Sequence, residues 1–600
     1  MRGFIKKRTL CCVFLVFLTI SCASSTSSVR HTTDQKIIGN FALLDHKGKF
    51  QELYYYSDQK AVVLISQGNG CPIIRKSFSY IEDLKKQFSH RGVVFFFINA
   101  NPQDDRESIQ KEADDHGVTI PILEDRSQIV SASLGIQRNA QVIVLDVRDW
   151  SVVYDGAIHD QFGYETQRDK VHHEYLKDAL NALLKDRPVA VKSTPVKGCL
   201  ISYPHENLPV YINDVAPILI KKCIACHSQG QIAPWSMESY EHVKGWGAMI
   251  REVVSTRRMP PWGADPHYRK LKEDISLTPQ EMKTICDWID RGMVRGEGED
   301  PLLKAKRPPM DEWPLGPPDM VLTFDKEQHI PENGLIDLRT IMMRETMEMD
   351  AWVRAIYWKI GNRKVVHHTN ISAYVLEPNQ TDNIEWFMRS GVDYSLKNRK
   401  RPTVENNDHI IDSFTPGKEP LIMPEGTGMF LPKGSRFRTE MHYTTTGRPE
   451  TDLTEVGLYF YKERPKHIFS FSAHPKHDLV IPPFKKDHTV EHSFIFKKNV
   501  TLYSIKPHMH LRGRSQEFIF YYPDGASEKV LSVPQFRFKW QRRFSFEEPI
   551  KVPAGTRVKI TTVYDNSAQN PDNPDPGQTV RTGPYTEDEM LFPTFFYVEE

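Results

Sequence analysis

The chain has almost no excess charge: 78 Lys and Arg stand against 77 Asp and Glu, a formal net charge of +1 over 600 residues. A protein that grips nucleic acid by its phosphates needs a basic face, so this balance gives no ground for a nucleic-acid partner. Cysteine is scarce. Of the 8 in the chain none follows Cys286, so the C-terminal half must fold without disulfides. No apolar run reaches the roughly 18 residues that a membrane-spanning helix needs. No internal repeat is visible. The length itself excludes a single core, because cores stop growing beyond about 250–300 residues, and three or four domains are expected.

Arg2, Lys6, Lys7 and Arg8 precede the apolar run Leu10–Leu18, and the small polar stretch Ser21-Cys22-Ala23-Ser24-Ser25 follows. A basic segment, a short apolar core and small residues predict a signal peptide over residues 1–21. Leu18-Thr19-Ile20-Ser21-Cys22 resembles a bacterial lipobox, which implies lipidation at Cys22. Thr19 stands where a lipobox carries Leu, so plain secretion is the alternative. The expected location is the periplasmic side of a bacterial membrane, held by a lipid anchor, or else the soluble periplasm. Residues 22–35, rich in Ser and Thr, read as a tether.

Residues 36–187 alternate two patterns. Apolar runs at Ala61–Ile65, Val93–Ile98 and Val142–Leu145 predict buried strands. Phe78, Ile81, Leu84 and Phe88 predict one helical face, with further helices from near Asp104 and over His172–Leu184. Such alternation predicts an α/β layer fold. Residues 188–208, with several prolines, read as a linker; 209–296 read as helical; 297–318, rich in Pro and charge, read as a second linker. Beyond 319, short runs such as Ile371–Val375, Glu455–Tyr461 and Glu517–Tyr522 are separated by Pro, Gly and Asn. They predict two all-β sandwiches, at 319–480 and 481–600.

Cys223-Ile224-Ala225-Cys226-His227 is the strongest local motif. Two thiols at this spacing can add across the two vinyl groups of haem, and the adjacent His supplies an axial nitrogen. A zinc site would want a second CxxC, and the chain has none. The sixth iron ligand is expected at Met259, in Arg258-Met259-Pro260-Pro261-Trp262, where the prolines stiffen the loop. Met237, Met249, Met282 and Met293 compete, but suit helix cores. With the closing Trp288-Ile289-Asp290-Arg291-Gly292, residues 209–296 resemble the class I cytochrome c family. That implies an all-α domain with covalent haem c on Cys223, Cys226, His227 and Met259.

Three histidine clusters stand out in the C-terminal half: His367-His368, His442 in Glu440-Met441-His442-Tyr443, and His508-Met509-His510. His329, His474 and His488 are expected in solvent. Residues two apart on a strand share a face, so His508 and His510 could meet one metal. Neighbours point to opposite faces, so His367-His368 can chelate only at a strand end, bend or bulge. A structural or surface role for either cluster is the plain alternative.

Together with Val365-Val366, Pro507, Leu511-Arg512-Gly513, Asp565-Asn566-Ser567 and Asp588-Glu589-Met590, these stretches resemble the copper type II, ascorbate-dependent monooxygenases. That family includes peptidylglycine hydroxylases and dopamine β-hydroxylases. The resemblance implies two jelly-roll sandwiches and two copper ions. His367, His368 and His442 would hold the electron-transfer copper; His508, His510 and Met590 would hold the one that meets dioxygen. Imidazoles suit both oxidation states of copper, and a thioether favours Cu(I). Phe592 and Thr594 stand where peptide-amidating members carry Asn and Tyr for the substrate carboxylate, and Lys506 replaces an Arg. Peptidylglycine is therefore a poor guess for the substrate.

Gly68-Asn69-Gly70-Cys71-Pro72 follows a predicted strand and opens a helix, which predicts a reactive thiol at a helix N-terminus, helped by Arg75. Residues 36–187 resemble the thioredoxin-like redoxin family. Ile74 occupies the place of a second active-site Cys, and Asn139-Ala140 the place of the usual cis-proline. A one-Cys peroxidase, a sensor or an inert remnant are the readings left for Cys71, and sequence cannot place Cys199 beside it.

The whole reads as a multidomain chain: α/β thioredoxin-like, all-α cytochrome c, then two all-β sandwiches. The expected function is a copper-dependent monooxygenase-type oxidoreductase. It would hydroxylate a C–H bond of an unidentified small molecule or peptide with dioxygen, taking electrons from an external donor through haem c. The alternatives are a non-catalytic copper and haem sensor or electron-transfer protein, and a thiol peroxidase with accessory domains.

Overall fold

Ala61–Ser66 and Val93–Asn99 are apolar almost throughout and buried on both faces, as strands covered by helices on each side must be. They occupy the middle of a five-stranded sheet ordered Ile122–Glu124, Val93–Asn99, Ala61–Ser66, Gln141–Asp146, Ser151–Ala157. The first three are mutually parallel, and each of the last two is antiparallel to its neighbour. Helix Pro72–Phe88 buries Ile74, Phe78, Ile81, Leu84 and Phe88 against it. Helix Arg106–Asp115 starts at a reciprocal cap between Asp105 and Ser108. The computed structural model describes residues 36–163, 167–203, 208–307, 312–334, 336, 338–375, 408–418, 420–583 and 585–600. The expected signal peptide, the tether and Cys22 lie outside the described residues.

The stretch read as a first linker is strapped onto this sheet. The Ala157 N–H donates to Thr194 Oγ1 at 2.8 Å, the Ile201 N–H to Gln137 O at 2.9 Å, and Tyr203 Oη to Ile136 O at 2.6 Å. Ile201 enters the core beneath. Proline removes donors, but the remaining groups still find partners, so a Pro-rich composition did not mean a free chain.

Helices Ala216–Lys222, Tyr240–Gly245, Gly247–Ser255, Pro279–Asp290 and Pro301–Lys304 follow, around a core that includes Tyr211, Leu219, Val243, Ile250, Ile285 and Trp288. Thr278 and Glu281 form a reciprocal cap on the longest of them, and Cys286 is buried inside it. Among the described residues no helix is long and apolar enough to cross a membrane.

The rest is β-structure. Strands such as Arg436–Tyr443 alternate buried and half-buried side chains, the period of a sheet with one face in a core. Two four-stranded sheets each close one core against a nine-stranded sheet. The two expected sandwiches thus correspond to two cores, but their sheets do not part at 480. His467–Ala473 pairs parallel with Thr427–Leu431 and antiparallel with Thr594–Glu599, so one sheet runs through both halves. Joining them removes two edges that would otherwise expose unpaired backbone groups. Residues 37–600 pack as a single unit.

Candidate functional site

Val366–Tyr374 and Arg436–Tyr443 are antiparallel neighbours, with His368 opposite His442. The register slips between Val366 and His368, a bulge that lets the adjacent His367 and His368 approach the same region. Their Nδ1 atoms are 3.4 Å apart, and the rings of His368 and His442 stack at 4.1 Å.

His508 and His510 lie in the loop after strand Val500–Lys506, not on it. Strand alternation therefore does not aim them, and the expectation from spacing fails here. A buried carboxylate does the work instead. Glu589 accepts from the N–H groups of His510 at 2.8 Å, Arg512 at 2.6 Å and Met590 at 3.1 Å. Tyr564 Oη donates to Met590 O at 2.8 Å, and the Phe592 N–H donates to His508 O at 3.1 Å. The segment bearing Met590 is thereby tied to both histidines.

One loop joins the two clusters. The ring of Phe538 lies 5.4 Å from those of His368 and His442 and 5.7 Å from that of His510; Trp540 lies 5.3 Å from His367. Gln541 is buried between His508 and His368. Its Oε1 is 2.6 Å from His508 Nδ1, and its Nε2 is 3.4 Å from His368 Nε2. The amide oxygen accepts, so His508 Nδ1 carries the proton and Nε2 is left with its lone pair. His510 Nδ1, 3.1 Å from Asp588 O, is held the same way. Nothing in the sequence singled out Phe538, Trp540 or Gln541; Glu589 was visible only as part of a matching stretch.

Burial pushes His367 and His510 down to about 4 and His442 down to about 3, with His368 and His508 also well below the usual range. All five are neutral at pH 7, the state that binds metal. Among the described residues no three His, Cys, Asp or Glu side chains stand in the arrangement of a metal site; the rings pack on one another. Lys506 Nζ donates to Asn370 Oδ1 at 2.7 Å, and burial pushes this amine down to about 7. His474, expected in solvent, instead stacks on Phe494 at 3.3 Å, where burial pushes it down to about 4.

Cys223 and Cys226 are free thiols in the turn after helix Ala216–Lys222. His227 Nδ1 lies 3.0 Å from Trp235 O, which again leaves Nε2 available. Cys226 faces the β-structure: a Cβ on Gly417 would sit 3.4 Å from its Sγ and 3.7 Å from Arg542 Nη2. The loop Phe538–Arg542 therefore spans from the five histidines to the CxxCH motif. Met259 lines a cleft with Leu44, Phe50, Trp262 and Met282, and among the described residues no hydrogen bond or ring contact joins it to His227.

Cys71 caps helix Pro72–Phe88 and is 4% exposed. Arg75 is spent on Glu112, with bonds of 2.7 and 2.6 Å, so its charge is shared rather than given to the thiol. Ala140, at the usual cis-proline place, has a φ of 63° and donates its N–H to Ser66 O at 2.7 Å. The strap brings the thiol of Cys199 within hydrogen-bonding reach of Cys71; burial and that neighbour push Cys199 up to about 11.

Residues 35–158 match the AhpC/TSA family, and this part of the chain is a thioredoxin-like redoxin domain. No curated protein matches the chain. Among solved structures it is similar to a hypothetical protein from Sinorhizobium meliloti 1021, 24% identical over 29% of this chain and 95% of the other, with a TM-score of 0.27. An uncharacterized conserved protein from Geobacillus kaustophilus is 28% identical over 29% and 93%, with a TM-score of 0.26. A peroxidoxin from Mycobacterium tuberculosis is 20% identical over 25% and 96%, with a TM-score of 0.20.

Proposed function

With a redoxin domain at one end of the chain, we propose that the remainder is a copper-dependent monooxygenase-type oxidoreductase carrying covalent haem c. The observation that carries this reading is the convergence of His367, His368, His442, His508 and His510, from three distant segments, on the single loop Phe538–Arg542. The donor types suit copper: His367, His442 and His510 are neutral imidazoles at pH 7, and Met590 offers a thioether. His367, His368 and His442 would hold one ion; His508, His510 and Met590 would hold the other. Cys223, Cys226 and His227 fit haem c, with Met259 the proposed sixth ligand. Bound copper would activate dioxygen toward a C–H bond, and haem c would carry the electrons from an external donor.

The chain's own contributions follow from the contacts. Gln541 and the Asp588 carbonyl fix the tautomers of His508 and His510. Glu589 sets the distance between the His508–His510 loop and Met590. Phe538 and Trp540 keep water from the imidazoles. Phe592, its ring 6.2 Å from His508, gives the substrate side an apolar wall where a carboxylate-binding pair would be needed for a peptide C-terminus. Export in this reading places the chain where haem is attached, with Cys22 as the lipid anchor.

Metal and haem analysis of protein matured in a periplasm with haem c assembly, with oxygen uptake followed after reduction, tests the proposal. One haem and two copper ions per chain, with oxygen consumed only when copper is present, is the expected result. Zinc alone, or no bound metal, overturns it.

A further inference from the structure

The redoxin domain meets the C-terminal half at its turn Leu53–Tyr56. Three residues hold Tyr55 there. Its hydroxyl donates to Asp565 Oδ2 at 2.8 Å. Lys486 Nζ stands 4.0 Å and Arg514 Cζ 3.7 Å from the centre of its ring, within the range of cation–π attraction. Lys486 Nζ also donates to Tyr55 O at 3.2 Å. Asp565 opens a turn from which the loop Pro507–Gly513 hangs. The Asp565 N–H donates to Arg512 O at 2.8 Å, Arg512 Nε to Asn566 Oδ1 at 2.9 Å, and Asn570 Nδ2 to Leu511 O at 3.1 Å. The Arg512 N–H continues to Glu589, which also accepts from His510. Asp565, Asn566, Arg512 and Glu589 are all buried, where a lost hydrogen bond is not readily replaced by water.

We propose that Tyr55 is a positioning residue for the site at His508, His510 and Met590: through the Tyr55–Asp565 bond the redoxin domain sets where the loop Pro507–Gly513 lies. Its bearing on copper rests on the function proposed above; the hold on the loop does not. His508 and His510 stand outside the strands, so no ladder of backbone bonds fixes them, and their placement comes from side-chain bonds to neighbouring turns. The Asp565 carboxylate heads one such turn. Its Oδ1 accepts from the Ser567 N–H at 2.9 Å while Oδ2 takes the Tyr55 hydroxyl. Without that hydroxyl the carboxylate must rotate toward another donor, which draws Oδ1 off Ser567, opens the turn and slackens the bonds to Leu511 and Arg512. Tyr54, one residue earlier, serves its own domain instead: its hydroxyl donates to Ile38 O at 3.2 Å and its ring stacks on Trp150 at 4.5 Å. The redoxin domain thus has a part in the distant site that calls on no thiol.

The test compares the full chain with Tyr55→Phe and, as a control from the same turn, Tyr54→Phe. Amide hydrogen exchange is measured first on metal-free protein. In Tyr55→Phe, peptides covering Pro507–Gly513 and Asp565–Asn570 should exchange about tenfold faster, the scale of losing one hydrogen bond to a carboxylate. Exchange in the strand Ala61–Ser66 should stay as it was, and Tyr54→Phe should leave the distant peptides unchanged. Unaltered exchange over Pro507–Gly513 in Tyr55→Phe overturns the proposal, as does an equal rise in both variants. Should Tyr55→Phe fail to fold, Lys486→Met, which removes the cation over the same ring, is judged by the same peptides. Copper titration against a competing chelator follows. Tyr55→Phe should bind the ion assigned to His508, His510 and Met590 about tenfold more weakly and the ion at His367, His368 and His442 as before, tenfold being the lower end of what outer-shell partners contribute. Equal weakening at both sites, or at neither, counts against positioning. If the unsubstituted chain binds no copper, the proposed function falls, and the exchange result still decides this inference.

Discussion

The carboxylate of Glu589 accepts the backbone N–H of His510 at 2.8 Å, and its two oxygens reach the N–H groups of Arg512 and Met590 as well. Glu589→Ala would leave two buried donors, the N–H groups of His510 and Arg512, and the half-buried one of Met590 without this partner, and an unpaired buried donor costs about 1–3 kcal/mol. Expected are a clear fall in Tm and loss of the copper assigned to His508, His510 and Met590, with the copper at His367, His368 and His442 retained. Thermal unfolding and copper counting check this; full copper in the variant would show that the clamp is dispensable.

The Gln541 side chain lies within hydrogen-bonding distance of both histidine clusters. Gln541→Leu keeps the volume and removes the hydrogen bonds. Outer-shell partners of metal-binding histidines typically contribute about 10–100-fold in affinity. Titration against a competing chelator should show a loss of that order, and an unchanged affinity would refute the role given to Gln541.

Covalent haem attachment needs both thiols. In Cys223→Ser with Cys226→Ser, haem should no longer travel with the polypeptide through a denaturing gel, while the double variant keeps its copper. Haem staining of the gel decides the matter.

Gly198→Ala tests the strap. The added methyl meets backbone, which cannot swing aside, and overpacking of this kind costs about 1–3 kcal/mol. Chemical denaturation should report the loss, and Cys199 should react faster with a thiol reagent as the strap lifts. Unchanged stability together with unchanged reactivity would contradict the packing described.

Asp125 is fully buried, and burial pushes its carboxyl up to about 6 from 3.8. Between those values the folded chain holds a proton that the unfolded chain has lost. This contribution to stability is therefore complete below about pH 4 and is lost as the pH rises through about 6. Asp125→Asn should flatten that window, since an amide oxygen can still accept from the Ser131 N–H, now at 2.7 Å. Urea midpoints of both proteins measured across pH 4 to 7 would sink the idea if they ran parallel.

Local patterns decided much of this protein. Ala61–Ser66, Val93–Asn99 and Gln141–Asp146 were legible as strands because an apolar run covered on both faces has no other comfortable state. Helix Pro72–Phe88 was legible from its buried stripe. For His367-His368 the sequence required a strand end, bend or bulge if the two were to share a metal, and the structure has a slip in register there. The convergence of the three histidine clusters was expected only through a family resemblance, and spacing alone misplaced His508 and His510 on a strand. What the tertiary structure decided were the long-range partners. Glu589 meets His510 across 79 residues, Gln541 meets His368 across 173, and Cys199 reaches Cys71 by way of a glycine whose need shows only when Asn139 lies against it. Periodicity reports the neighbours a residue has along its own element; buried donors, acceptors and thiols are satisfied by whatever the fold carries to them, and no local pattern records that.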